Sequence, residues 1–131
     1  MLVTKTVSTY IDCPPNRIYD YVRDANNLPH WAKNFVRSVS ESAGGWKIET
    51  EHGQLDFRFA PHNTLGVLDH FIRLPTGDEV FVPMRVVAND EGAEVLFTIF
   101  RTPIQSDADF ARDQELVRGD LRTLKIVLEV E

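Results

Sequence analysis

Hydrophobic and polar residues alternate with a period of two along most of this chain, and short stretches near its start depart from that pattern. Val3 to Ile11 alternates, which predicts a half-buried strand. Pro14 and Pro15 end this strand and open a helix, because a proline in the first helical turn loses no hydrogen bond. A second short helix is predicted near Leu28 to Lys33. Two short helices are therefore expected after the first strand.

From Val36 onwards the period-two pattern returns in short segments separated by turn residues. Glycine, proline, asparagine and aspartate mark these turns, and the short connections are typical of an antiparallel meander. Pro83 lies inside one segment and cannot donate a ladder hydrogen bond, so it predicts a bulge or an edge. The predicted strands of this region are residues 36–41, 46–51, 55–59, 66–73, 80–87 and 95–99.

The last part of the chain changes to a helical spacing. Apolar side chains recur every three or four residues, which predicts one amphipathic helix from about Asp107 to Glu129, capped by Ser106 or Asp107. At 1.5 Å per residue this helix spans roughly 34 Å, enough to cross a domain of this size. Its apolar stripe, with one polar member, consists of Phe110, Gln114, Val117, Leu121, Leu124 and Leu128.

This order of elements predicts an α+β fold. A sheet followed by one helix can bury that helix only by curling around it, so we expect a curved antiparallel sheet of about six or seven strands wrapped around the C-terminal helix. A curled sheet and a helix often leave room for a small molecule between them. The order of elements therefore predicts a ligand cavity.

Composition narrows the class of protein. The 131 residues fit one domain, residues 1–131, and a hydrophobic fraction of 43% is ample for a core. A formal net charge of −6 without a Lys/Arg cluster argues against nucleic-acid binding. No apolar run approaches the ~20 residues of a membrane span, and no signal-peptide core is visible, so a cytoplasmic protein is expected. Cys13 is the only cysteine, which leaves no intrachain disulfide.

Several local motifs resemble a known superfamily. The carriers are the Ile11-Asp12-Cys13-Pro14-Pro15 helix start, with Tyr19 and Val22 beyond it, the stretch from Asp24 to Trp31, and Asp120-Leu121-x-x-Leu124-Lys125. Over the whole chain, the sequence resembles the START-like, or SRPBCC, superfamily. That superfamily includes lipid-transfer domains, plant pathogenesis-related proteins, polyketide cyclases and activators of the Hsp90 ATPase.

A second set of residues narrows the resemblance to one subgroup. Gly66 to His70, together with Pro83 to Val87, is similar to small bacterial polyketide cyclase/dehydrase-like proteins of generally unassigned function. The resemblance implies a helix-grip fold, in which the sheet, the short helices and the terminal helix enclose an apolar cavity. Such motifs specify the fold and leave the function open, because one fold hosts many activities.

The apolar faces of the predicted strands identify residues that could line this cavity. A four-residue loop from Asn89 to Gly92 would set Met84 opposite Phe97 on the inward face. The second short helix would cover one end of the sheet. The predicted ligand-binding residues are Trp31, Phe35, Trp46, Phe57, His70, Met84, Phe97, Val117 and Leu121.

The strand predicted at residues 66–73 has two alternative registers. One places Leu68, His70 and Ile72 inward; a shift by one residue places Asp69 inward instead. We favour the first, because it puts no charged residue into the cavity. His70 is then the best polar candidate for binding or proton transfer, and Asp69 would pair with Arg85 on the opposite face. In the other register that ionic pair becomes the candidate site.

Three functions follow from this arrangement. The first is binding of a small hydrophobic or amphipathic molecule, such as a lipid, a polyketide or an aromatic metabolite. The second is a cyclase/dehydratase activity with His70, Asp69 or Arg85 as acid–base residues, for which no catalytic motif is evident. The third is an interaction module like the Hsp90 activators. The histidines lie on separate elements and no cofactor motif occurs, so neither metal nor cofactor is expected.

An exposed apolar surface would favour self-association. Phe71, Phe81 and Val87 fall on the outer face of the predicted sheet. Large contiguous apolar patches of that kind usually have a partner. A homodimer is therefore a further prediction.

Overall fold

The structure is a computed structural model that describes residues 1–130. Eight strands and a long helix follow one another in the predicted order. Over residues 1–130, no helix combines the length and the apolar character that crossing a membrane requires. The elements are β1 Thr4–Ile11, α1 Pro15–Arg23, a 3₁₀ turn Ala25–Asn27, α2 Leu28–Trp31, β2 Ser38–Ser42, β3 Gly45–Thr50, β4 Gly53–Phe59, β5 His70–Arg73, β6 Glu79–Val82, β7 Met84–Asn89, β8 Gly92–Phe100 and α3 Asp107–Glu129.

The strands form two antiparallel sheets with the orders β1-β8-β7 and β2-β3-β4-β5-β6. The predicted α+β helix-grip architecture is confirmed, with curved antiparallel sheets, two short early helices and a long C-terminal helix. One strand more is present than the expected maximum, because the segment predicted at 80–87 is divided at Pro83 into β6 and β7. Proline cannot donate to the ladder, and here it separates two strands that belong to different sheets.

The segment predicted as one strand at residues 66–73 also divides between the sheets. Its first half bonds to β7: the Leu68 N–H donates to the Met84 carbonyl (2.8 Å), and the Val86 N–H donates to the Gly66 carbonyl (2.9 Å). Its second half is β5, which pairs with β4 and β6. Gly66 allows this close approach, because its φ is +73° and a Cβ there would lie 2.3 Å from the Val86 oxygen.

The terminal helix α3 begins as the sequence predicts. The Ser106 hydroxyl accepts a hydrogen bond from the Asp109 N–H (3.0 Å), which caps the first turn. Near its other end, Lys125 Nζ donates to the Tyr10 carbonyl of β1 (2.8 Å). One face of α3 packs against the rest of the protein. Its buried residues are Phe110, Asp120, Leu121, Leu124 and Leu128.

Candidate functional site

A cavity of ≈ 660 Å³ lies between the sheets, α2 and the first half of α3. Its walls are mainly apolar and aromatic. The resemblance implied such a cavity, and the structure contains one. The predicted residues that border it are Trp31, Phe35, Phe57, His70, Met84, Phe97 and Val117.

The register at β5 and β7 explains why several of these side chains point inward together. Met84 pairs with Phe97 across β7 and β8, as predicted from the Asn89–Gly92 turn. His70 and Ile72 border the cavity and Asp69 does not, so the favoured register of this segment is the one the structure adopts. Their roles in binding stay predictions.

His70 lies among aromatic rings on the wall of the cavity. Its imidazole stacks on Phe57 with the ring centroids 5.1 Å apart, and its edge contacts Phe97 at 5.7 Å. Nδ1 donates a hydrogen bond to the Leu68 carbonyl (3.1 Å). Burial lowers the pKa of His70 to about 4, although the Leu68 carbonyl and the charge of Asp69 oppose the change. At neutral pH the ring is therefore uncharged.

The hydrogen bond to Leu68 also fixes which nitrogen of His70 carries the proton. A carbonyl oxygen can only accept, so the single proton of the neutral ring resides on Nδ1. Within residues 1–130, Nε2 has no hydrogen-bond partner. It is left as an acceptor for a molecule in the cavity.

Asp69 and Arg85 form an ion pair outside the cavity. The Arg85 guanidinium donates two hydrogen bonds of 2.9 Å to the two carboxylate oxygens, and the Met84 N–H donates a third of 2.9 Å. Burial of Asp69 acts to raise the pKa of its carboxyl, but these donors outweigh it and hold the pKa below its usual range. Neither residue borders the cavity; the pair connects the 66–69 segment to β7.

Asp120 borders the cavity and was not among the predicted site residues. It is buried on α3, where Oδ1 accepts a hydrogen bond from the Asn34 N–H (3.0 Å). Burial raises the pKa of the Asp120 carboxyl to about 6, partly offset by that hydrogen bond. The helical spacing carried a signal for it, since position 120 lies three residues after Val117 and four before Leu124 on the buried face.

Two predicted lining residues do not border the cavity. Trp46 lies on β3 beside the β2–β3 turn and borders a separate surface pocket of ≈ 430 Å³. Leu121 has an exposed fraction of 2% and belongs to the closed core. It lies one turn beyond Val117, where α3 has passed the end of the cavity. The prediction that Trp46 and Leu121 line the cavity is therefore corrected. The periodicity of a strand or helix shows which face a residue lies on, but it does not show how far along that element a cavity extends.

The mouth of the cavity is polar. It is formed by the β3–β4 turn, the loop after β8 and the first turns of α3. Its titratable residues are Glu51, His52, Asp109, Arg112 and Asp113. Carboxylates outnumber the single guanidinium in this set.

The cavity also reaches the edges of two strands. The β7–β8 pairing ends at Met84 and Phe97, and the last part of β8 runs past β6 without pairing to it. Residues of both strands border the cavity here, and the rings of Phe81 and Phe100 stack with centroids 6.3 Å apart. The cavity therefore extends into the gap between the two sheets.

The outer face contains the apolar residues from which a homodimer was predicted. Phe81 and Val87 are exposed by 40% and 51%. Phe71 is half-buried, stacked on Phe81 at 5.1 Å and covered by the Arg58 guanidinium at 4.1 Å. Self-association stays a prediction. Among residues 1–130, no three His, Cys, Asp or Glu side chains are grouped so that they could hold a metal ion.

No family model and no curated protein matches this sequence. Solved structures match it over nearly its whole length. XoxI from Bacillus cereus is 16% identical (TM-score 0.75; 96% of this chain, 95% of that chain). Ara h 8.0201 is 16% identical (0.73; all of both chains). The Aha1 dimer from Colwellia psychrerythraea is 21% identical (0.71; 98% and 97%). At such identities the likeness shows the fold alone: the chain has the START-like helix-grip fold that its motifs predicted.

Proposed function

We propose that this protein binds a small hydrophobic or amphipathic molecule in the cavity beneath α3. The observation that carries the proposal is the cavity itself: ≈ 660 Å³, bordered by aromatic and aliphatic side chains, with His70 on its wall. Ligand sites typically enclose about 300–1,000 Å³, with apolar walls and a few convergent polar groups. The size and the lining of this cavity match that description.

The shape of the walls supports a ligand with a flat apolar body. The His70 ring contacts those of both Phe57 and Phe97, with centroids 5.1 and 5.7 Å away. Their ring faces and edges offer the offset and edge-on contacts that aromatic molecules make. Lipids, polyketides and aromatic metabolites all have bodies of a suitable kind, and aromatic ones make the fullest use of these walls.

A cavity-filling variant tests the proposal. N-phenyl-1-naphthylamine, an uncharged probe that fluoresces in apolar surroundings, is titrated against the protein, with quenching of Trp31 as a second readout. Val117→Trp places an indole in the cavity from α3, and we expect it to reduce probe affinity by tenfold or more. Ile126→Trp adds the same side chain on the exposed side of α3, where Ile126 is 64% exposed, and should leave binding unchanged.

Two results would count against binding. One is the absence of any response in the wild-type protein to this probe and to a panel of lipids and aromatic metabolites. The other is equal probe affinity in the two tryptophan variants, which would mean that the probe does not occupy the cavity that Val117→Trp fills.

A second candidate function is acid–base catalysis on the bound molecule, of the cyclase/dehydratase kind. It is favoured by two titratable groups on one cavity, His70 with a pKa of about 4 and Asp120 with a pKa of about 6. Dehydration of 4-hydroxy-4-phenylbutan-2-one to the conjugated ketone, followed by absorbance at pH 5–7, tests it. Turnover that is lost in His70→Ala or Asp120→Asn while the fold is kept would support catalysis; no turnover above buffer would reject it for this substrate class.

Three other expectations concern partners and location. An interaction module and a homodimer are the remaining hypotheses, and the Aha1 relative was solved as a dimer. Sedimentation of this chain as a monomer at all concentrations would remove the homodimer. The expected cytoplasmic location stays a prediction.

A further inference from the structure

Most of the charged groups around the cavity are carboxylates, and this negative character limits the class of ligand that the cavity can bind. The inference rests on the proposed binding function. Four carboxylates border the cavity, from Glu51, Asp109, Asp113 and Asp120, against one guanidinium, that of Arg112. Arg112 and Asp109 are exposed on the first turns of α3, whereas Asp120 is buried. An anionic group entering the cavity would therefore approach mainly like charges.

Asp120 is a buried carboxylate without a cation. Its exposed fraction is 7%, and its one hydrogen bond comes from the Asn34 N–H. Within residues 1–130, neither a lysine nor an arginine forms an ion pair with it. A buried charge is costly unless it is paired, and groups in this condition concentrate at binding sites. A cation supplied by a ligand would provide the missing partner.

His70, the second buried polar group on the cavity wall, also requires a ligand that donates a hydrogen bond. Neutral His70 carries its proton on Nδ1, which is bonded to Leu68, and offers only the lone pair of Nε2. Among the residues within 1–130 that border the cavity, the Trp31 N–H is the one fully buried side-chain donor without a partner. An indole N–H is uncharged, so it could bond to a carbonyl but would not neutralise an anion.

We propose that the cavity is selective for amphipathic cations: molecules with an aromatic or polycyclic body and one ammonium group, which pairs with Asp120. The body then lies against the aromatic wall around Phe57 and Phe97, and a hydroxyl on that body can donate to His70 Nε2. Carboxylates of the same size, fatty acids among them, are rejected, because they meet the buried Asp120 carboxylate, whereas the one guanidinium at the cavity, that of Arg112, is exposed at its mouth.

Three probes with one skeleton and different charges test this selectivity. They are 2-(1-naphthyl)ethylamine, 2-(1-naphthyl)ethanol and 1-naphthylacetate, titrated by calorimetry at pH 7.5 and low salt. We expect the amine to bind at least tenfold more tightly than the alcohol, and the acetate most weakly. In Asp120→Asn, which keeps an oxygen for the Asn34 N–H, the amine should lose its advantage while the alcohol binds as before.

A matched variant distinguishes the effect of the buried Asp120 carboxylate on amine affinity from the effect of negative charge at the mouth of the cavity. Asp109→Asn removes the same charge from the same helix at an exposed position. It should reduce amine affinity less than threefold. Should Asp120→Asn fail to fold, the ¹³C shift of the Asp120 carboxyl in the wild-type protein replaces it. That shift should move with the amine and stay in place with the alcohol.

The outcomes distinguish the selectivity from binding itself. If neither these probes nor N-phenyl-1-naphthylamine bind, the proposed function fails and the selectivity falls with it. If the alcohol or the acetate binds as tightly as the amine, the selectivity is overturned and the binding function stands. Equal amine affinity in wild type and Asp120→Asn, or an unmoved Asp120 carboxyl shift, would also overturn it.

Discussion

Replacement of His70 by phenylalanine should remove a large part of the pH dependence of stability. His70 has an ordinary pKa of 6.5 in the unfolded chain and a pKa of about 4 in the folded protein. Between these values the unfolded state binds the proton more strongly, so stability falls as the pH falls from 6.5 to 4. From the two pKa values, linkage gives a loss of about 2 kcal/mol by pH 5 and about 3 kcal/mol by pH 4.

The measurement is urea unfolding followed by tryptophan fluorescence at pH 7, 6, 5 and 4. The quantity to compare is the free energy of unfolding of wild type minus that of His70→Phe, because other groups, Asp120 included, titrate in both proteins and largely cancel. From pH 7 to pH 4, the free energy of unfolding of wild type should fall by about 3 kcal/mol more than that of His70→Phe. His52→Phe, the same substitution at a surface histidine whose side chain is 73% exposed, is the matched control. A difference that is constant to within about 0.5 kcal/mol would refute the burial of a neutral His70.

Three further variants can be measured by the same urea unfolding. Asp69→Ala should lower the free energy of unfolding by about 2 kcal/mol, because the buried Met84 N–H and the half-exposed Arg85 guanidinium lose their acceptor. Asp56→Ala, in an exposed ion pair, should change it little. Gly66→Ala should cost at least about 2 kcal/mol from backbone clash and a positive φ, which exceeds the cost at Gly77, where nothing obstructs a Cβ. Leu121→Ala should cost about 3 kcal/mol as a core truncation. Equal losses of stability at Asp69 and Asp56, or at Gly66 and Gly77, would contradict the roles given to Asp69 and Gly66. A Leu121→Ala cost below about 1 kcal/mol would contradict the burial of Leu121 in the core.

Much of the fold could be predicted because local patterns determine it. The spacing of apolar residues gave the bounds of α3, and a hydroxyl before it gave the cap at Ser106. The Asn89–Gly92 turn set the register that brings Met84 opposite Phe97. In each case, residues close in sequence establish the geometry, so the local pattern was sufficient to predict it.

Other features depend on contacts between residues far apart in the sequence, which the local spacing of apolar residues does not reveal. Residues 66–73 alternate like one strand, yet the first half bonds to β7 and the second to β4 and β6. Alternation specifies which side a residue faces and is silent about which strand lies beside it. Asp120 is similar in part: the helical spacing places it on the buried face of α3, but its hydrogen bond comes from Asn34, eighty-six positions away in the chain.

Pro83 connects the sequence pattern to the access of the cavity. A strand that continued from β6 into β7 could remain paired with β8 along its whole length, and the sheet would then close over this side of the interior. Pro83 lacks the N–H that such a ladder needs, and its carbonyl accepts the last bond, from the Thr98 N–H (2.9 Å). Beyond that point β6 pairs only with β5, and the edges of β6 and β8 are joined by the stacked rings of Phe81 and Phe100. A ring contact rather than a row of backbone hydrogen bonds therefore joins the two sheets here, and the cavity extends into the gap between them.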